Sequence, residues 1–168
     1  MWSNVRKQFQ RQVVRPEIVR EFIKSGMRVG KDDKIYVGDV EVDYTAIARA
    51  LDVDRRVVKQ TVQQIRGNKY LNSLFSKTRP LGTSLVDLVS ELGYTAVVIE
   101  ANPKSAGVMA GVAEILSRHG SVVRQAVAED PEMVADAKMT LVVEGQLSGQ
   151  AIEELNSLKV VRSIKILK

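Results

Sequence analysis

The stretch Thr45-Ala46-Ile47-Ala48-Arg49-Ala50-Leu51-Asp52-Val53-Asp54-Arg55-Arg56-Val57-Val58 has the grammar of two short helices joined by a tight turn. Ile47 and Leu51 lie on the inward face of the first helix, and small Ala48 stands where a second helix must cross closely. Val53 fills the turn, and Val58, Val62 and Ile65 form the apolar stripe of the second helix. This is the spacing that two helices crossing at a steep angle need. Asp43 can cap the first helix, predicted over Tyr44–Leu51. Asp54 can cap the second, predicted over Arg55–Arg66 and closed by Gly67-Asn68. Asp52 replaces the glycine often found in such turns, and Asp tolerates left-handed backbone better than most residues.

What remains outside on the second helix is polar and basic. Arg56, Lys59, Gln60 and Gln63 recur at three- and four-residue spacing, with Arg55 at the N-terminal end. Arg can pair bidentately with guanine and Gln with adenine, while Lys and Arg neutralise phosphates. A recognition helix enters the major groove with its N-terminal part leading, where Arg55, Arg56 and Lys59 lie. These five residues are the candidate DNA contacts. The bland alternative is a structural helix pair with a solvated basic face, and RNA or protein docking stays open.

Working outward, the first fifteen residues place Trp2, Val5, Phe9 and Val13 close to one face of a helix, with Arg6, Lys7, Arg11 and Arg15 mostly around it. Pro16 suits the first turn of a following helix, Glu17–Lys24, which Ser25-Gly26 would stop. Lys34–Val37 and Val40–Val42 flank Gly38-Asp39, a hairpin signal resembling the strand that winged-helix domains insert between helices. No wing is visible after Arg66, and Lys69–Arg79 reads as a polar stretch. Pro80 and Gly82 then mark a boundary, and a short helix follows, capped by Thr83 or Ser84 and ended by Gly93.

Charge divides at that boundary. The chain has 168 residues, 45% apolar, and a formal net charge of +5. Up to Pro80 there are 17 basic and 9 acidic residues, a net +8; from Leu81 onward 8 basic and 11 acidic residues give −3. Two modules with different partners are the expectation. The absence of cysteine argues against disulfides, zinc fingers, iron–sulfur clusters and thiol nucleophiles. A single histidine, His119, argues against a His-based metal site or a Ser–His–Asp set. No apolar run approaches the roughly 20 residues that span a bilayer, and the N-terminus lacks a signal-peptide core. A cytoplasmic protein without membrane partners is expected.

Beyond Gly93 the hydrophobic period switches repeatedly. Strands are predicted over Tyr94–Glu100, Val122–Ala128, Met139–Glu144 and Val160–Leu167, and helices over Ser105–His119 and Ser148–Leu158. That βαββαβ order is the ferredoxin-like sandwich, an antiparallel sheet with two helices on one face. Ile164 and Ile166 point opposite to Ser163 and Lys165, leaving the other face and edge for self-association. An RNA-recognition motif would need aromatics on the central strands, and Val122–Ala128 and Met139–Glu144 have none.

Within this half, Ala106-Gly107-Val108-Met109, then Val112, Ile115 and Leu116, then His119-Gly120-Ser121-Val122, resemble an ACT domain, a small regulatory module that often binds amino acids. The usual Asp-x-Pro-Gly-x-Leu departs here, with Lys104 for Asp and Ala106 for Pro, while Gly107 is kept. The run Arg124–Glu132 with the upstream helix pair is similar to archaeal predicted regulators of amino-acid metabolism. The resemblance implies a ligand at the loop between the first strand and first helix, between paired subunits. It carries over Asn102, Lys104, Ser105, Ala106, Gly107 and Val108, with Gln125 on the neighbouring strand. Backbone N–H groups at a helix start favour a carboxylate, which gives the loop a physical basis. A tight turn that binds nothing is the alternative.

Asp32-Asp33, Glu129-Asp130 and Glu153-Glu154 are adjacent carboxylates that need not converge on one substrate, and His119 before Gly120 reads as a helix end. No catalytic constellation, metal site or cofactor motif emerges, so no enzymatic activity is expected. The expected class is α+β: a mainly helical helix-turn-helix domain with a short hairpin at 1–80, a linker helix at 81–93, and an ACT-like ferredoxin fold at 94–168. The expected function is a dimeric or larger homo-oligomeric transcriptional regulator responsive to an amino acid. A non-catalytic subunit docking on a metabolic enzyme is the alternative, and an ACT-like unit serving dimerisation alone is a third reading.

Overall fold

Side-chain caps open four helices of the structure, a computed structural model describing residues 1–10, 12–102 and 105–168. The chain divides into two compact units, Met1–Gly82 and Thr83–Lys168.

In the first unit, α1 (Trp2–Lys7) and α2 (Val14–Lys24) precede a small sheet. Trp2, Val5 and Phe9 are buried as their spacing predicts, but Val13 is 86% exposed. The helix ends at Lys7, so the stripe does not reach Val13, which instead stands at the N-cap of α2. Pro16 sits in the first turn of α2, where its missing N–H removes no helical bond. Strands β2 (Ile35–Val37) and β3 (Val40–Val42) form the expected hairpin, with Gly38 at φ +59° in its turn. A third strand, β1 (Met27–Val29), pairs antiparallel with β2 and was not foreseen. Three residues are too few to show a period.

Helices α3 (Tyr44–Ala50) and α4 (Arg55–Gly67) follow, and both predicted caps form. Asp43 Oδ1 accepts from Thr45 N at 2.5 Å and Asp54 Oδ1 from Arg56 N at 2.6 Å. The stretch after Asn68, expected to be a polar connection, contains helix α5 (Lys69–Phe75). Asn68 caps it by accepting from Leu71 N at 3.1 Å. Leu71 and Phe75, one turn apart, are buried, and Phe75 meets Phe22 edge-on at 6.3 Å between ring centres.

In the second unit, the 3-10 turn Val86–Leu88 and α6 (Val89–Leu92) lead into β4 (Tyr94–Ala101), α7 (Val108–Arg118), β5 (Val123–Ala128), β6 (Met139–Glu144), α8 (Gly149–Ser157) and β7 (Val161–Leu167). The four strands form one antiparallel sheet in the order β5-β6-β4-β7. This is the ferredoxin-like arrangement, and the molecule is α+β. Alternation along the strands sends Val97, Ile99, Leu141 and Val143 into a core with Val112, Leu116 and Leu155. Ser148 caps α8, its Oγ accepting from Ala151 N at 3.1 Å.

Two features of this unit differ from expectation. Helix α7 starts at Val108 rather than Ser105, because Gly107 takes a left-handed φ of +86° and breaks the helical path. The opposite sheet face is not wholly free. Leu85, Val86 and Val89 of the preceding segment pack with Ala96, Val142 and Leu167. Gln125 pins this strap, accepting from Leu85 N at 3.0 Å and donating to Thr83 O at 2.8 Å.

Candidate nucleic-acid interface and ligand cavity

The turn between α3 and α4 follows from two side chains that tolerate its geometry. Asp52 adopts φ +52°, and Val53 N then donates back to Ala48 O at 2.9 Å. Ala48 is buried, so a larger side chain there would collide with the crossing helix. Thr45 N–H holds the Asp43 carboxyl below the usual carboxylate range, because that bond favours the charged form. Val58, Val62 and Ile65 are fully buried, fixing which face of α4 looks outward.

That outward face carries Arg55, Arg56, Lys59, Gln60 and Gln63, all exposed. Among the described residues none of the three cations forms an ion pair within 4 Å. Gln60 differs from the others, because its Oε1 accepts from Arg15 Nη2 at 2.8 Å. Arg15 was grouped only with the basic surround of the N-terminal stripe. Arg66, at the far end of α4, donates to Asp33 Oδ1 at 3.1 Å and Asn72 Oδ1 at 2.7 Å. It clamps the β1–β2 connection and α5 to the helix. Asp32 instead bonds Tyr36 Oη at 2.6 Å, so these adjacent carboxylates do diverge.

The second unit holds a cavity of about 240 Å3 beside the β4–α7 connection. Asn102, Ser105, Gly107 and Val108, four of the residues carried over by resemblance, line it. Ala106 is exposed and does not line it. Gln125 is engaged with the strap, and Lys104 lies outside the described residues. The apolar wall is Ile99, Met109, Ala128 and Met139, while Glu129 and Lys138 bring opposite charges.

Glu129 and Lys138 close the β5–β6 connection on itself. Glu129 N donates to Lys138 O, and Lys138 N to Glu129 Oε2, both at 2.9 Å. Lys138 Nζ reaches Glu100 Oε1 at 2.8 Å. That contact raises the lysine's pKa and, with Ser163, lowers the glutamate's. Sequence reading placed Glu129 in a solvated pair and passed over Lys138. The available signal was their position at the two ends of one strand connection.

No family model and no curated protein matches this chain. Among solved structures, it aligns with a transcriptional regulatory protein from Pyrococcus furiosus, a member of the AsnC family. The alignment covers 91% of this chain and 85% of that one, at 11% identity and a TM-score of 0.28. The protein PH0061 aligns over 94% of this chain and 93% of its own, also at 11% identity and a TM-score of 0.28. The fold assignment therefore stands on the chain's own strand order and helix placement. Among the described residues, no helix is long and apolar enough to cross a membrane.

Proposed function

We propose that this chain is a DNA-binding transcriptional regulator of amino-acid metabolism. Helix α4 reads the major groove with Arg55, Arg56, Lys59, Gln60 and Gln63, and the second unit senses an amino acid and pairs subunits. One observation carries the DNA-reading part. A helix N-terminus is the positive end of the helix dipole, and cations there are disfavoured. Yet α4 has Arg55, Arg56 and Lys59 in its first five residues, and no acidic residue in its first turn. Asp54 at the N-cap supplies a carboxylate there, but the three cations outnumber it. Placing cations against the dipole makes sense when a polyanion supplies the compensating charge.

The sensing part rests on the cavity. Its volume of about 240 Å3 lies below the ~300–1,000 Å3 of drug-sized pockets, which favours a small effector. Asn102, Ser105, Gly107 and Val108 contact the carboxylate end in this proposal. Glu129 offers a partner for an ammonium group, and the Ile99–Met139 wall accepts an apolar side chain. Paired subunits couple the two sites only if the effector binds one arrangement of the dimer better than the other.

Selection of genomic DNA fragments on the full chain, with and without pooled amino acids, tests both parts. Enrichment of a near-symmetric sequence, altered by amino acids, supports the whole reading. Enrichment indifferent to amino acids reduces the second unit to dimerisation. No enrichment overturns the DNA role and favours docking on a protein partner.

A further inference from the structure

Arg15, in the first turn of α2, reaches α4 with both arms of its guanidinium. Nη1 donates to Gln64 Oε1 at 2.7 Å and Nη2 to Gln60 Oε1 at 2.8 Å. A guanidinium has donors and no acceptor, so the atom each amide turns toward it must be oxygen. The orientation of both amides is thereby fixed by chemistry. Gln64 is engaged on both sides, since its Nε2 donates to Gln8 O at 3.0 Å. Gln60 is exposed, and among the described residues its Nε2 has no hydrogen-bond partner.

A glutamine suits adenine because its amide accepts from N6–H while donating to N7. With one lone pair of Oε1 taken by Arg15 and the oxygen turned toward that guanidinium, Gln60 turns its two N–H donors outward. Guanine offers N7 and O6, two acceptors, on that edge. We infer that Arg15 is a positioning residue that turns the N–H donors of Gln60 toward the groove, so that the base it meets is guanine rather than adenine. The inference rests on the DNA-reading role of α4 proposed above. Gln63, with no such partner among the described residues, keeps both halves of its amide for adenine.

The test is selection from a random duplex library by the full chain, its Gln60→Glu variant, and Arg15→Leu, Arg15→Met and Arg15→Lys variants. Glutamate still accepts from Arg15 but has no N–H, so the position whose preference Gln60→Glu changes is the one Gln60 reads. Guanine should exceed adenine there by about 5- to 150-fold in the natural chain, the ratio one bidentate contact supplies. In Arg15→Leu that ratio should collapse toward unity or reverse, with the other positions unchanged. Arg15→Lys, whose single ammonium can serve one amide only, should lie between the natural chain and Arg15→Leu. Arg15→Met, without a donor, gives the same readout as leucine if the leucine variant fails to fold. Adenine at that position in the natural chain, or Arg15→Leu and Arg15→Met variants that keep its guanine preference, overturns the inference while leaving DNA reading intact. No enriched sequence at all overturns the DNA-reading proposal, and this inference with it.

Discussion

Helices α4 and α7 begin in opposite ways. At α4 the Asp54 carboxylate accepts from Arg56 N, so the start is closed by a side chain. At α7 the N-cap is Gly107, which has no side chain and adopts φ +86° beside a cavity. The first arrangement leaves recognition to the side chains that project from the helix. The second leaves backbone donors at the helix start beside a space where a small anion fits. Under the proposed function, the same helix-end physics serves a polyanion read by side chains in one unit, and a small carboxylate held by backbone in the other.

The largest expected effect comes from inverting the charge of α4. Arg56→Glu with Lys59→Glu should weaken DNA binding more than about 100-fold, since each change removes a favourable phosphate or base contact and adds repulsion. Fluorescence anisotropy gives the affinity, and an unchanged circular dichroism spectrum shows that the fold survives. Undiminished binding would remove α4 from the interface.

Next in size is the open start of α7. Gly107→Ala forces a Cβ into left-handed backbone, which costs about 1–2 kcal/mol. Among the described residues nothing lies within 4 Å of that Cβ, so strain should lower the melting temperature. The closed start of α4 should cost less to break: Asp54→Ala removes one cap, worth about 1 kcal/mol. If the two substitutions rank in the opposite order by chemical denaturation, the contrast between the helix starts is wrongly drawn.

The smallest effect is electrostatic. The Glu100 carboxyl is held below its ordinary pKa by Lys138 and Ser163, so its contribution is present above the unfolded value. That contribution disappears as the pH falls through the lower, folded value. Because the pair is exposed, salt should weaken it. Lys138→Met should reduce the acid sensitivity of the second unit slightly, and denaturation midpoints across the acid range measure it. A larger acid sensitivity in the variant would mean the pair has been misread.

Features set by neighbouring residues were legible in the sequence. Asp43 and Asp54 cap helices where their spacing says they should, and Ile164 and Ile166 alternate into the core. Features that depend on distant partners were not. Strand β1 gains its identity from pairing with Ile35–Val37, six to ten residues further on, and α5 is held by Phe22 across the unit. Gln125 looked like a ligand contact because it is polar on a strand beside the loop. Only the folded chain brings Thr83 and Leu85 to it. Arg15 and Gln60 stand 45 residues apart, and no periodicity joins them.

The central claim, that α4 meets a polyanion, is tested most directly by measuring affinity for a selected DNA fragment across a range of salt concentrations. The account predicts a steep linear fall of log affinity with log salt, the slope easing by about 1 for each phosphate-contacting cation removed among Arg55, Arg56 and Lys59. An affinity indifferent to salt, or a slope that these neutralisations leave unchanged, would contradict it.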